Sequence, residues 1–424
     1  MEETAVMVLA GGKAERLSVL TRVRTKSSVP FGAAYRIIDF VLSNCIHSQL
    51  RFIYILAQYF PESLHDHVGT GAPWDLDRRE GGVWVVHPYA RKAEHHWFRG
   101  TADALWQNFD LIENERFSHV LVLSGDHVYK MDYRPMIQEH IRSGADLTIA
   151  ATHCAMEDVG RFGILELGEG GRVIAFEEKP QQPKSNLANM GIYLFNRKAL
   201  SERLQKVCGE DNCFDLVFDV VMGMINERTV YSHIFEGFWR DAGTLGAYYD
   251  ANMDLVSEMP RLDLYDRNWP ILTKIYDNPP ARVINPGRIH NSLAGSGCII
   301  EGEVEQSILF SNVRVEKGAC INQSIILKGT TVKAGAVLNG AIIDKDVVVG
   351  DGAVIGFGGQ AEHPAYDGMG EGLVVVGKGT TIPAGCIVGR QVILDPFLSA
   401  AHFTERQIKA GTHLKWSKTD NSEL

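Results

Sequence analysis

The sequence predicts an α/β chain in two unlike parts: a largely parallel sheet flanked by helices over residues 1–255, then a parallel β-helix over residues 290–424. Three observations predict it. Apolar runs alternate with amphipathic stretches through the first part, which is the strand–helix–strand grammar of a parallel sheet. A stretch with little periodicity follows over residues 256–289, punctuated by Pro260, Pro270, Pro279, Pro280 and Pro286, and reads as a linker. Beyond it, aliphatic residues recur every six positions, the period of a parallel β-helix.

In the first part the strand candidates are Ala5–Leu9, Phe52–Leu56, His119–Leu123, Asp146–Ala150, Val173–Phe176, Met190–Phe195 and Val230–Phe235. Helix candidates are Thr101–Glu113, Tyr133–Ser143, Arg197–Lys206, Phe214–Asn226 and Leu245–Ser257. In such sheets ligands sit beyond the carboxyl ends of the strands, so the loops after Leu9, Leu123 and Phe235 are expected to carry the chemistry. In the second part Val315, Ile321 and Leu327 are six apart. The register slips to Val332 and Leu338, slips again to Ile343, and continues to Val349 and Ile355. It resumes at Val376, Ile382, Val388 and Leu394. A sandwich of short strands is the alternative, but twelve aliphatics at this spacing argue against it. Burying each stabilises by roughly 1.5–3 kcal/mol, accumulated rung by rung. Gly356–Gly372 breaks the period and is expected to bulge out as a loop.

A net charge of −10 argues against nucleic acid as the main partner. No apolar run reaches the roughly 20 residues of a membrane span, and the N-terminus has no basic start with an apolar core. The seven cysteines form no Cys-x-x-Cys pair, which points to reduced thiols and a cytoplasmic protein.

Five constellations carry chemistry. Val8-Leu9-Ala10-Gly11-Gly12 ends a strand in two glycines, followed by Lys13, Arg16 and Lys26. Backbone N–H groups exposed at such a turn suit phosphate oxygens, although Gly-Gly alone also makes a plain tight turn. Ser124-Gly125-Asp126-His127 ends an apolar strand in an acid, suited to a hard cation such as Mg²⁺ or to capping a following helix. Trp239-Arg240-Asp241-Ala242-Gly243-Thr244 offers a second acid, as a metal ligand, as a surface pair with Arg240, or as a helix cap. Glu178-Lys179-Pro180 places a cation after a strand, either to hold a phosphate or as a solvated turn. Gly100-Thr101-Ala102 opens a helix whose N–H groups suit an anion or a purine edge, or simply a cap.

These motifs occur in one order along the chain, together with Tyr35-Arg36-Ile37-Ile38-Asp39-Phe40 and Asn189-Met190-Gly191-Ile192-Tyr193. The set resembles the ADP-glucose pyrophosphorylase (glucose-1-phosphate adenylyltransferase) family over essentially the whole chain. The resemblance implies a Rossmann-like nucleotidyltransferase domain followed by a left-handed β-helix for assembly and regulation. It implies adenylyl transfer from ATP to α-D-glucose 1-phosphate, giving ADP-glucose and pyrophosphate for glycogen synthesis. By motif position it implies Asp126 and Asp241 as Mg²⁺ ligands, with Asp126, Arg16 and Lys26 catalytic. Gly11, Gly12, Arg16 and Lys26 would hold the triphosphate, and Gln58, Gly100, Thr101 and Ala102 would neighbour the adenine. Lys179 would hold the sugar phosphate, with Gly163, Glu178, Asn189 and Asp241 on the glucose side. A homotetramer with a small-molecule effector at Arg24 and Arg36 is implied as well.

Six positions depart from the family pattern: Ala14 for a third loop glycine, Ser27-Ser28 for Pro-Ala, Val23 for an effector-binding lysine, Asn189 for a serine and Phe98 for a tyrosine. Losing the proline is expected to loosen the loop. The rival readings are a catalytically weak regulatory subunit, a sugar-phosphate nucleotidyltransferase using another nucleotide, and an acyltransferase solenoid with His290 or His363 as base.

Overall fold

The computed structural model describes residues 3–12, 15–88, 97–113, 115–208, 214–359, 365–366 and 368–416. Two compact units form: one from Met1–Lys13, Ile38–Trp239 and Asp266–Leu272, the other from Ala14–Ile37, Arg240–Tyr265 and Thr273–Leu424.

In the first unit, nine strands form one sheet among the described residues. They are β1 (Thr4–Leu9), β2 (Phe52–Leu56), β3 (Gly82–Val86), β4 (His119–Ser124), β5 (Leu147–His153), β6 (Gly163–Leu167), β7 (Val173–Glu178), β8 (Leu187–Asn196) and β9 (Val230–Ile234). The path is β7-β6-β8-β4-β1-β2-β3, with β5 on β8 and β9 on β5. The contiguous half β3-β2-β1-β4 is parallel. Its strands are nearly continuous apolar runs because both faces are covered. Strand β8 runs antiparallel to β4, β5 and β6, a reversal that apolar periodicity cannot register. Helices Arg134–Ser143 and Arg197–Cys208 end within two residues of their expected limits. The helix expected over 101–113 breaks at Asn108 into Thr101–Gln107 and a 3-10 turn at Phe109–Leu111. That expected over 214–226 opens as a π-helix, Leu216–Val221. Strands β3 and β6 and helices Ile37–His47 and Pro61–Val68 escaped the sequence reading.

In the second unit, the solenoid is a left-handed β-helix of three parallel sheets with six, seven and seven strands among the described residues. All twelve aliphatics of the six-residue series are at most 2 % exposed. The register slips have a simple cause. Glu303 pairs with Cys320, Cys320 with Val337 and Val337 with Val354, so the central coils are 17 residues long, one short of three six-residue faces. The expected excursion stands between Val354 and Ile387, which pair directly across it. Residues 360–364, including His363, lie outside the described residues, as does Ala14.

Cys45, Cys154, Cys298, Cys320 and Cys386 are free, as expected. Cys208 is disulfide-bonded, so the expectation of reduced thiols throughout fails there.

Candidate active site

In the first unit, the register of β1 with β4 sets Leu9 opposite Ser124, so their two loops leave the sheet side by side. Gly125 N donates to Leu9 O at 3.0 Å and ties the loops together. Ala10 N donates to Leu56 O at 2.9 Å, which brings Gln58 alongside. A Cβ on Gly11 would lie 3.5 Å from the Gln58 Cβ, and one on Gly12 would meet nothing within 4 Å. Two sequence-predicted groups, the glycine pair and Gln58, are therefore neighbours, beside open space.

Asp126 accepts a short hydrogen bond from Ser124 Oγ. His127 Nε2 lies 3.4 Å from Asp126 Oδ1, while His127 Nδ1 is 3.0 Å from Met190 O. The capping alternative fails. Asp126 leads into a strand, His127–Tyr129, and it is Asp132 that accepts Arg134 N at the next helix. His127 escaped the sequence reading although its motif was noted, because nothing in the spacing shows that β8 delivers a carbonyl to it.

Glu178 pairs with Gly163 across β7 and β6. A Cβ on Gly163 would come within 2.3 Å of the Phe176 ring and 2.8 Å of Glu178 Oε2, so the glycine makes room for that carboxylate. Lys179 Nζ lies 3.1 Å from Glu178 Oε1 and remains 55 % exposed. Its backbone is left-handed, φ 48°, held by Lys179 N donating to Phe162 O at 3.0 Å. Asn189 donates from Nδ2 to Tyr193 OH at 2.6 Å and accepts Gly191 N at 3.0 Å, where the β8–β5 register shifts. Both ends of the Asn189 amide are therefore held.

Gly100 abuts Phe214 so closely that a Cβ would lie 1.9 Å from its carbonyl oxygen. That same oxygen accepts Ala102 N at 3.1 Å, and Thr101 Oγ1 accepts Leu216 N at 2.8 Å. The Ala102 N–H is thus already engaged within the protein, contrary to the expectation of a free donor there.

In the second unit, the buried Lys26 donates from Nζ to Asp241 Oδ1 at 2.9 Å. The surface pair offered as one alternative for Asp241 was with Arg240, a neighbour in sequence. The observed partner is a residue 215 positions away. Thr244, not Asp241, caps helix Leu245–Met253, its Oγ1 accepting Ala247 N at 3.2 Å. A Cβ on Gly243 would stand 2.8 Å from both Asp241 carboxylate oxygens. Ser27 and Ser28 are buried in a 3-10 turn, with Thr25 Oγ1 donating to Ser28 Oγ at 3.0 Å. Arg16 is exposed, with no ion pair or side-chain hydrogen bond among the described residues.

Arg24, expected at an effector site, is buried and paired with the buried Asp344 at 2.9 Å. Next to it lies a cation that escaped the sequence reading. Burial and the charges of Arg24, Arg36 and Lys378 hold Lys345 down at about 7, only partly countered by Asp344. In the sequence Lys345 looks like an ordinary solenoid-corner lysine, and only the fold places two arginines near it.

A nucleotidyl transferase family model matches residues 5–258, and a GlmU-like C-terminal hexapeptide model matches residues 279–376. Relatives carrying the name glucose-1-phosphate adenylyltransferase include one from Thermotoga neapolitana, 44% identical over 97% of this chain and 98% of the relative. One from Thermotoga maritima is 43% identical over 98% and 99%. One from Acetivibrio thermocellus is 39% identical over 99% of both chains.

Proposed function

Because the chain belongs to the glucose-1-phosphate adenylyltransferase family of nucleotidyl transferases, we propose that it makes ADP-glucose and pyrophosphate from ATP and α-D-glucose 1-phosphate. The observation that carries this reading is the pairing of Leu9 with Ser124, which sets the glycine loop and Asp126 at adjacent carboxyl ends of parallel strands.

The reaction in this reading is an in-line displacement. A phosphate oxygen of the sugar phosphate attacks the α-phosphorus of ATP, that bond forms as the α–β bridging bond breaks, and pyrophosphate leaves with the electron pair. The attacking phosphate is already ionised near neutrality, so no general base is required. The obstacle is the approach of two anions, and the chain's part is positioning and charge. Gly11 and Gly12 leave backbone N–H groups unobstructed for the triphosphate. Arg16 and Lys26 add positive charge there. Lys179 holds the sugar phosphate, while Glu178 and Asn189 accept and donate to sugar hydroxyls. Asp126 and Asp241 supply the hard oxygen donors that suit a divalent cation, Mg²⁺ in this proposal. When bound, that ion neutralises charge on the phosphate oxygens. Lys26 keeps the Asp241 carboxylate in place through its ion pair.

We further propose a phosphorylated effector at Arg24, Arg36, Lys345 and Lys378, because a half-buried lysine crowded by like charges favours an incoming anion. The family resemblance supports a cytoplasmic homotetramer serving glycogen synthesis, with the solenoid in assembly and regulation. Among the described residues no helix is long and apolar enough to cross a membrane.

Pyrophosphate release by the purified chain, with glucose 1-phosphate and each of ATP, GTP, UTP and TTP, tests the reading. It expects release with ATP far above the other three. Release favouring another nucleotide, or none from the chain alone, overturns it.

A further inference from the structure

Within the second unit, the helix Leu245–Met253 and the 3-10 turn Asp254–Val256 face one corner of the solenoid. Tyr249 OH donates to Gln323 O at 2.6 Å and fixes the helix there. Beside this bond lies a cavity of about 410 Å³, within the roughly 300–1,000 Å³ of small-molecule sites.

Its lining has two kinds of wall. Met253, Val256 and Leu373 are apolar. The polar part of the lining is a set of carboxamides in an ordered column. Gln306 and Gln323 are one 17-residue coil apart, in the same left-handed corner conformation, φ 42° and 44°. Gln323 Nε2 donates to Gln306 Oε1 at 3.4 Å. The next residue of the column is Gly340, φ 62°, so the amide ladder stops and a side chain's worth of space opens. Asn339 adds a third carboxamide at that level.

Two opposite charges share the cavity without meeting. Arg390 and Glu371 both line it, yet they form no ion pair with each other or with any described residue. The Arg390 guanidinium makes one long hydrogen bond, Nε donating to Gly356 O at 3.4 Å. Its outer N–H groups and the Glu371 oxygens therefore keep their hydrogen-bonding capacity. Carboxamides donate and accept at once, a guanidinium donates and a carboxylate accepts, all in planar pairs that match vicinal hydroxyls. One positive and one negative charge cancel, so the cavity offers an anion no net attraction. The apolar wall suits the C–H face of a ring.

We propose that this cavity binds an uncharged polyhydroxylated ligand, a hexose unit or short oligosaccharide. None of the lining residues is among those assigned to the reaction, and the proposal does not depend on that reaction.

The test is calorimetric titration of the full chain with maltose. One saturable site per chain is expected. Gln323→Ala and Arg390→Ala should each weaken binding by about tenfold or more, since each removes hydrogen bonds to the sugar. Gln323 donates to Tyr249 nothing from its side chain, so its truncation leaves the Tyr249 bond to the backbone intact. Asp126→Ala should leave maltose affinity unchanged. The absence of saturable binding overturns the proposal. So do affinities in both cavity variants equal to that of the unmodified chain, loss of binding in Asp126→Ala, and displacement of maltose by inorganic phosphate.

Discussion

Lys26 and Asp241 form an ion pair at 2.9 Å with side chains only 10% and 20% exposed. Partly buried charges of this kind depend on each other, because removing one takes an opposite charge away from the other in a poorly solvated place. Removing one preorganised electrostatic group typically costs about 2.7–4 kcal/mol in a transition state. Lys26→Met and Asp241→Asn should therefore each lower kcat by at least roughly 10²-fold, and the double variant should lose less than the product of the two. Steady-state rates of the four proteins in the cycle provide the check. Strict additivity would mean that the pair does not act as a unit.

Asp126 sits at the end of β4 with Ser124 and His127 against its carboxylate. Asp126→Asn keeps the shape and removes the charge. We expect kcat to fall by at least about 10²-fold and the Mg²⁺ concentration for half-maximal rate to rise. A near-normal rate with an unchanged metal dependence would remove Asp126 from the site.

Gly163 gives way to Glu178, and Gly100 gives way to the Phe214 carbonyl. The consequences differ. Gly163→Ala pushes against a ring and a carboxylate, so the KM for glucose 1-phosphate should rise several-fold more than that for ATP. Gly100→Ala pushes against main chain, and its first effect should be a lower unfolding temperature. Measured KM values and thermal melts separate the two.

Lys345 is held at about 7 in the folded chain, against an ordinary 10.5. Below pH 7 it is charged in both states, and the folded state bears the full cost of confining that charge. Between pH 7 and 10.5 the unfolded chain binds more protons, so this cost is relieved as pH rises. Anion binding runs the other way: an anion beside Lys345 restores its proton. Binding of a phosphorylated effector near pH 8 should take up close to one proton per chain, and affinity should fall as pH rises above 7. Calorimetry in buffers of different ionisation enthalpy measures the uptake, which Lys345→Gln should abolish.

Much of the fold was legible because burial writes itself into spacing. Phe52–Leu56 coincides with its strand, and all twelve solenoid aliphatics point inward. Strand β6, Gly163–Leu167, was not legible, since Gly163, Glu166 and a partly exposed Leu167 break its apolar run. Helix Pro61–Val68 carries four histidine or acidic residues against one apolar pair, Leu64 and Val68, and shows no clear stripe. At the candidate site, the motifs singled out Asp126, Glu178 and Lys179 because each stands at the end of a strand. Partners arriving from distant segments left no trace in the spacing: Lys26 for Asp241, Met190 for His127 and Asp344 for Arg24.

The 17-residue coil has one more consequence. Val354 stacks on Ile387 as though the 32 intervening positions were a single turn of the solenoid, so the staircase above and below is indifferent to what leaves between them. Growth or shrinkage of that excursion changes no step of the stair, whereas deleting one residue from a neighbouring coil would rotate a whole flight of aliphatics out of line. The coils are held to strict count, while the excursion answers to the neighbours it touches, among them Gly246 and the cavity that Glu371 lines.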